Sequence, residues 1–340
     1  MSPHWTQRPE GGGRFALRLI MNIGLKFGRP TARLILYPIT LYFYFRRGPE
    51  RRASYAFLER AFGRPANMWQ VMRHIHRFAG TILDRVFLLA GRMRSFEINI
   101  HGVEEVRAKL QPDRGMLLLG AHLGSFEVLR VLADSHRDIR VCVLLDVQQT
   151  PALTDMLHAL NPDVARNVID ATRGGTEVVL ALSEALQQGA VAAMLADRAR
   201  PREPTIAVDF MGAPAQFPTA PFVIASMIDV PLVLCFGLYR GGKRYDLYFE
   251  TFADNLQISR RERQAELQAV VQRFAHRLEH HVRIDPYNWF NFYDFWTNET
   301  VAAVAPIKVP DQQDSGERMA YGVGSGDAGD NPGGQSAVGR

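Results

Sequence analysis

Apolar positions in this chain follow three patterns, and their order predicts the architecture. Unbroken runs at 116–119, 141–145 and 191–195 read as strands buried on both faces. Residues 96–100 alternate like a half-buried strand, and 168–170 form a short extended piece. The runs at 232–238 and 245–249 face each other across Gly241-Gly242, as two paired strands would. Between them, apolar residues recur at helical spacing over 53–62, 68–89, 125–133, 154–160, 177–187, 222–228 and 260–282, with a short helix at 102–110. Strands alternating with helices predict an α/β fold: a mixed, largely parallel sheet flanked by helices.

The N-terminal stretch departs from this pattern. Residues 15–27 carry apolar positions at helical spacing, and Leu34 to Phe45 is an uncharged, aromatic-rich run of twelve residues. Twelve residues are too few to cross a hydrocarbon core of about 30 Å. Arg33 and Pro38 also argue against a simple spanning helix. Charge sharpens the picture: the whole chain is only +5, yet residues 1–60 hold eleven Lys/Arg against three Glu. Arginines flanking an aromatic apolar surface predict an in-plane or hairpin-like anchor on anionic lipid, against the alternative of core helices with a basic outer face. Those arginines also break up any secretory signal, so the expected location is the cytoplasmic face of a membrane. Three segments follow: a membrane anchor over 1–48, a catalytic domain over 49–304 and a disordered Gly/Asp/Ser-rich tail over 305–340.

The rest of the composition mainly excludes. Cys142 and Cys235 sit in strand-like runs without metal-ligand spacing, so neither a disulfide framework nor a metal site is expected. His74 and His76, two apart on a helix, face different ways and read as surface or structural residues. Basic residues interleaved with apolar ones do not make a nucleic-acid face.

Candidate chemistry lies where the 116–119 strand ends, in Gly120-Ala121-His122-Leu123-Gly124-Ser125-Phe126-Glu127. Open α/β sheets place their sites at the carboxyl ends of their strands. Ser125 can cap the next helix, Glu127 falls in its first turn, and His122 stays in the connection. A carboxylate reaching one ring nitrogen leaves the other free as a general base. Against this stands a hydrogen-bonded structural histidine. No Gly-x-Ser-x-Gly elbow occurs, so a helix cap is the simpler role for Ser125.

His122-x4-Glu127 resembles the signature of acyltransferases that move a fatty acyl chain from a thioester to an alcohol. Two further stretches make the chain similar to the bacterial lipid A late acyltransferase family over about residues 15 to 296. One runs from Val191 to Asp197-Arg198 and on through Val208-Asp209-Phe210-Met211-Gly212-Ala213-Pro214-Ala215, with Met211 where the family has a second Phe. The other is Pro286-Tyr287-Asn288-Trp289. The resemblance implies an O-acyltransferase at the bacterial inner membrane, with His122 as base and Glu127 orienting it. The donor would be an acyl-carrier-protein or coenzyme A thioester, the acceptor a lipid or glycolipid hydroxyl, and no cofactor is needed. It further implies an arginine and a strand-end acid in the site. Arg166, Arg173, Asp197 and Arg198 are the substrate-binding candidates, each with a surface salt bridge as its alternative. Asp197 and Arg198 share an edge with His122 if their strands are parallel.

Phe210, Met211, Phe217 and Phe222 are candidates for an acyl slot or for plain core. Seven aromatics in residues 286–296 predict a lipid groove or interfacial belt, or a core closure. Asn291, Asp294 and Asn298 stand where the lipid A enzymes continue with a basic stretch. That counts against a phosphorylated disaccharide acceptor and points to the branch accompanying aryl polyene-type lipids. A non-catalytic lipid-binding protein and a thioester or lipid hydrolase are the competing readings.

Overall fold

The computed structural model describes residues 21–111, 113–129, 140–200 and 202–296. The tail over 305–340, the beginning of the 15–27 segment and residues 130–133 of an expected helix lie outside them. A helix covers 21–27, followed by α1 (Arg29–Arg46), α2 (Gly48–Phe62) and α3 (Met68–Leu89). Then come β1 (Glu97–His101), α4 (Val103–Arg107), β2 (Met116–Gly120), β3 (Val141–Leu145), α5 (Pro151–Leu160), α6 (Pro162–Arg166) and β4 (Val168–Asp170). They lead to α7 (Gly175–Gln187), β5 (Val191–Leu195), β6 (Thr205–Phe210), β7 (Ala213–Pro218) and α8 (Ala220–Ser226). The last elements are β8 (Leu232–Gly241), β9 (Arg244–Ala253) and α9 (Arg263–Ile284).

Seven strands form one sheet in the order β1-β9-β8-β2-β5-β3-β4. From β8 to β4 neighbours run parallel; β9 turns back antiparallel to β8 and carries β1 parallel to itself. The expected mixed, largely parallel α/β sheet is what forms. Alternate side chains of each central strand enter different cores. Leu117, Leu119, Ala192 and Met194 pack with α2, α7, α8 and α9, while Met116, Leu118, Val191 and Ala193 pack with α1, α3 and α5. A strand buried on both faces has no polar position to spare, hence the unbroken runs.

Helix α1 packs directly against α3. Ala32, Leu36, Thr40 and Tyr44, four residues apart, form its buried stripe against α3. Arg29 clamps the fully buried Asp84 of α3 through Nε at 2.7 Å and Nη2 at 2.8 Å, and Arg33 approaches it at 3.7 Å. The Tyr245 hydroxyl donates to the same carboxylate at 2.9 Å. Two of the arginines expected to face anionic lipid are therefore turned inward. The opposite face leaves Leu34, Tyr37, Tyr42 and Phe45 exposed, each by 60 % or more. No described helix is long and apolar enough to cross a membrane.

Two expectations are revised locally. The helix expected over 125–133 begins as a 3₁₀ turn, Phe126–Leu129. The hairpin β6–β7 was not foreseen: its turn puts both Met211 (φ 56°) and Gly212 (φ 78°) in left-handed conformations, and Met211 is an unusual residue there.

Candidate active site

Strands β2 and β5 pair in parallel from Met116↔Val191 to Gly120↔Leu195. Two residues beyond that register stand His122 and Asp197, so adjacent parallel strands deliver them side by side at the carboxyl edge. Asp197 is fully buried and uses both oxygens: Oδ1 accepts from His122 Nδ1 at 2.9 Å, and Oδ2 from the His122 backbone N–H at 3.0 Å. Trp289 Nε1 adds a longer donor at 3.4 Å. Burial alone would raise the Asp197 pKa; the His122 ring, its hydrogen bonds and Arg198 outweigh this and hold it below the usual carboxylate range. An ionised Asp197 at this position fixes the proton on Nδ1, and Nε2 keeps its lone pair.

The His122 side chain remains 34 % exposed. Desolvation first, then Arg198, push its pKa below the ordinary imidazole value, with Asp197 pulling the other way. The ring is therefore neutral at pH 7. Arg198 donates through Nη2 to the Phe290 carbonyl at 2.5 Å and lies over the Tyr293 ring. Phe290 N–H in turn donates to the His122 carbonyl at 2.9 Å.

Glyine geometry sets the turn: Gly124 has φ +73°, and a Cβ there would come within 1.8 Å of the Gly237 carbonyl oxygen. The motif is thereby pressed against β8, with Ser125 N–H donating to Gly237 O at 2.8 Å. The carboxylate on His122 Nδ1 is that of Asp197, where the spacing had suggested Glu127. Glu127 pairs with Arg85 of α3 at 2.5 Å and accepts from Ser125 Oγ at 3.0 Å. In a 3₁₀ turn that runs on toward α3, the Glu127 carboxylate is carried to Arg85, and Asp197 holds Nδ1 instead. The proton of Ser125 Oγ is donated to Glu127.

The remaining candidates separate. Asp197 and Arg198 join His122. Arg166 ends α6 just before β4, at the amino end of the strands, where it is exposed and pairs with Asp163 three residues back. Arg173 follows β4 at the carboxyl edge but is exposed, and β4 lies three strands from β2, about 14 Å across the sheet. Phe210, Met211, Phe217 and Phe222 are all buried in the core. The aromatic segment closes that core too: Trp289 is fully buried between Phe57, Phe210 and Phe295.

Sequence reasoning missed Arg85, Asn288 and the role of His74. Arg85 had a signal, since Asp84-Arg85 interrupts an otherwise apolar run in α3. Asn288 fastens the segment to β8, accepting from Tyr239 N–H at 2.8 Å and donating to Tyr239 O at 3.1 Å. His74, fully buried, contacts the Trp289 carbonyl at 2.9 Å and Ser54 Oγ at 2.8 Å.

The fold and site define an α/β protein with a partly exposed histidine held by a buried carboxylate at the carboxyl edge of a largely parallel sheet. The family model for bacterial lipid A biosynthesis acyltransferases matches residues 15–298, and the protein belongs to that family. No curated relative matches the chain.

Proposed function

We propose that this acyltransferase moves a fatty or polyketide-like acyl chain from an acyl-carrier-protein or coenzyme A thioester to a hydroxyl of a lipid or glycolipid. The observation that carries this reading is the two-point clasp of His122 by Asp197. His122 Nε2 takes the acceptor's hydroxyl proton as the oxygen attacks the thioester carbonyl. The new C–O bond forms, negative charge gathers on the former carbonyl oxygen, and Arg198 supplies the nearby cation. Collapse breaks the C–S bond, and the departing thiolate recovers the proton from Nε2. Asp197 stabilises the intervening imidazolium without itself being protonated. Because a thiolate leaves readily, no covalent enzyme intermediate is required, in keeping with Ser125 being bonded to Glu127. The lipid acceptor would be met at the cytoplasmic face of the inner membrane, through the exposed aromatic face of α1.

The test uses detergent-solubilised protein, a labelled acyl-carrier-protein thioester and a bacterial lipid extract. Wild type should place label in a lipid band, and His122→Ala should lower that rate by about a thousand-fold, the usual contribution of a positioned base. Free acid without labelled lipid would favour the hydrolase reading and overturn this one.

A further inference from the structure

A cleft of about 630 Å³ opens where α3, β8, β9 and α9 converge, and five arginines line it: Arg73, Arg77, Arg240, Arg244 and Arg283. Only two lining residues are acidic, and both are already engaged. Asp285 pairs with Arg77 at 3.3 Å and Arg240 at 3.8 Å; Asp246 pairs with Arg240 at 3.1 Å and accepts from Asn99 at 3.0 Å. Arg283 turns to Glu279 at 2.7 Å. Arg73 and Arg244 have no carboxylate partner among the described residues; Arg73 lies over the Tyr287 ring at 4.4 Å. Cations gathered from four elements repel one another; Asp285, Asp246 and Glu279 offset part of that repulsion, and an anionic ligand would offset the rest. Burial is the main cause that lowers the Arg77 pKa; Asp285 opposes it, and Arg73 and Arg240 add smaller contributions in the same direction as burial.

The cleft and the catalytic base share a wall. Residues 285–287 line the cleft, and three residues further on Phe290 bonds to His122, at most about 11 Å of extended chain. Asn288 ties this segment to β8 between the two. A single segment thus borders the cleft at 285–287 and bonds the His122 backbone at Phe290. Guanidinium forks match phosphate oxygens, and Tyr287, Pro286 and Ile284 supply an apolar side wall.

We propose that the arginine cleft is the site for the phosphate of a substrate whose reacting end lies at His122. The assignment of that phosphate to a substrate rests on the acyltransferase reading; phosphate binding itself does not. It supplies from α3, β8, β9 and α9 the cations that residues 291–298 lack.

Calorimetric titration with inorganic pyrophosphate tests the cleft, using wild type, the double variant Arg73→Gln/Arg244→Gln and His122→Ala. Both arginines are exposed, so the double variant should keep the wild-type melting temperature. Its pyrophosphate affinity should fall about ten-fold or more, as expected for losing two charge-assisted contacts, while His122→Ala binds like wild type. Equal affinity in wild type and the double variant overturns the site, whether or not acyl transfer is seen. In the transfer assay the double variant should raise one KM. A rise for the acyl thioester assigns the phosphate to the donor, and a rise for the lipid assigns it to the acceptor. If neither KM moves, the cleft does not hold a substrate.

Discussion

Asp197 gives one oxygen to the His122 ring and the other to its backbone N–H, so it positions both the base and the turn that carries it. Glu127 is spent on Arg85 and Ser125. Asp197→Asn should therefore lower turnover by about a hundred-fold or more, because an amide can present its NH₂ and favour the wrong tautomer. Glu127→Gln should cost about ten-fold or less. Nitrogen NMR of the ring checks the cause: Asp197 raises the His122 pKa, so its loss should lower it, whereas Glu127→Gln should leave Nδ1 protonated. A larger loss from Glu127→Gln than from Asp197→Asn would return the orienting role to Glu127. The histidine and the strand-end acid were legible because each ends an apolar run at the same edge of a parallel sheet. Their partnership was not legible: sequence spacing reports neighbours along a helix, and this bond spans seventy-five positions through strand register.

Unbroken apolar runs marked β2, β3 and β5, and amphipathic spacing marked α3 over its full extent. The β6–β7 hairpin escaped because its turn puts Met, not Asn or Asp, ahead of Gly212, and β7 begins Ala213-Pro214-Ala215. The aromatic density after Pro286 left core closure and lipid groove equally open; packing decides for the core. Helix α3 reaches that segment through His74, whose burial pushes its pKa down to about 4, against the Trp289 bond. Folded protein keeps His74 neutral, while the unfolded chain takes up the proton near pH 6.5. Stability from this group is complete above pH 6.5 and lost as pH falls toward 4, about 3 kcal/mol in all. Urea unfolding at pH 7.5 and pH 4.5 should show the loss in wild type and a shallower one in His74→Gln; parallel losses in both would assign it elsewhere.

The molecule as a whole presents opposite characters on the two sides of α1. Its buried stripe and the Asp84 clamp join it to the sheet, and its outer face exposes Leu34, Tyr37, Tyr42 and Phe45. Replacing Leu34, Tyr42 and Phe45 by Ser should cut cosedimentation with anionic vesicles about ten-fold, with the melting temperature held by the untouched stripe. Retained vesicle binding would move the lipid contact away from α1. The interior of this helix was legible only as hydrophobicity; which residues faced inward depended on where α3 lay. Asp84 and Arg85 are consecutive on α3, and successive residues on a helix point about 100° apart. One grips α1 and the other grips the catalytic turn through Glu127. Helix α3 is thus a strut between the surface proposed to rest on lipid and the turn that holds the base. On the proposal that this face rests on lipid, both joints would hold His122 at a set height above it, and acceptor hydroxyls would be selected by depth in the bilayer as well as by chemistry.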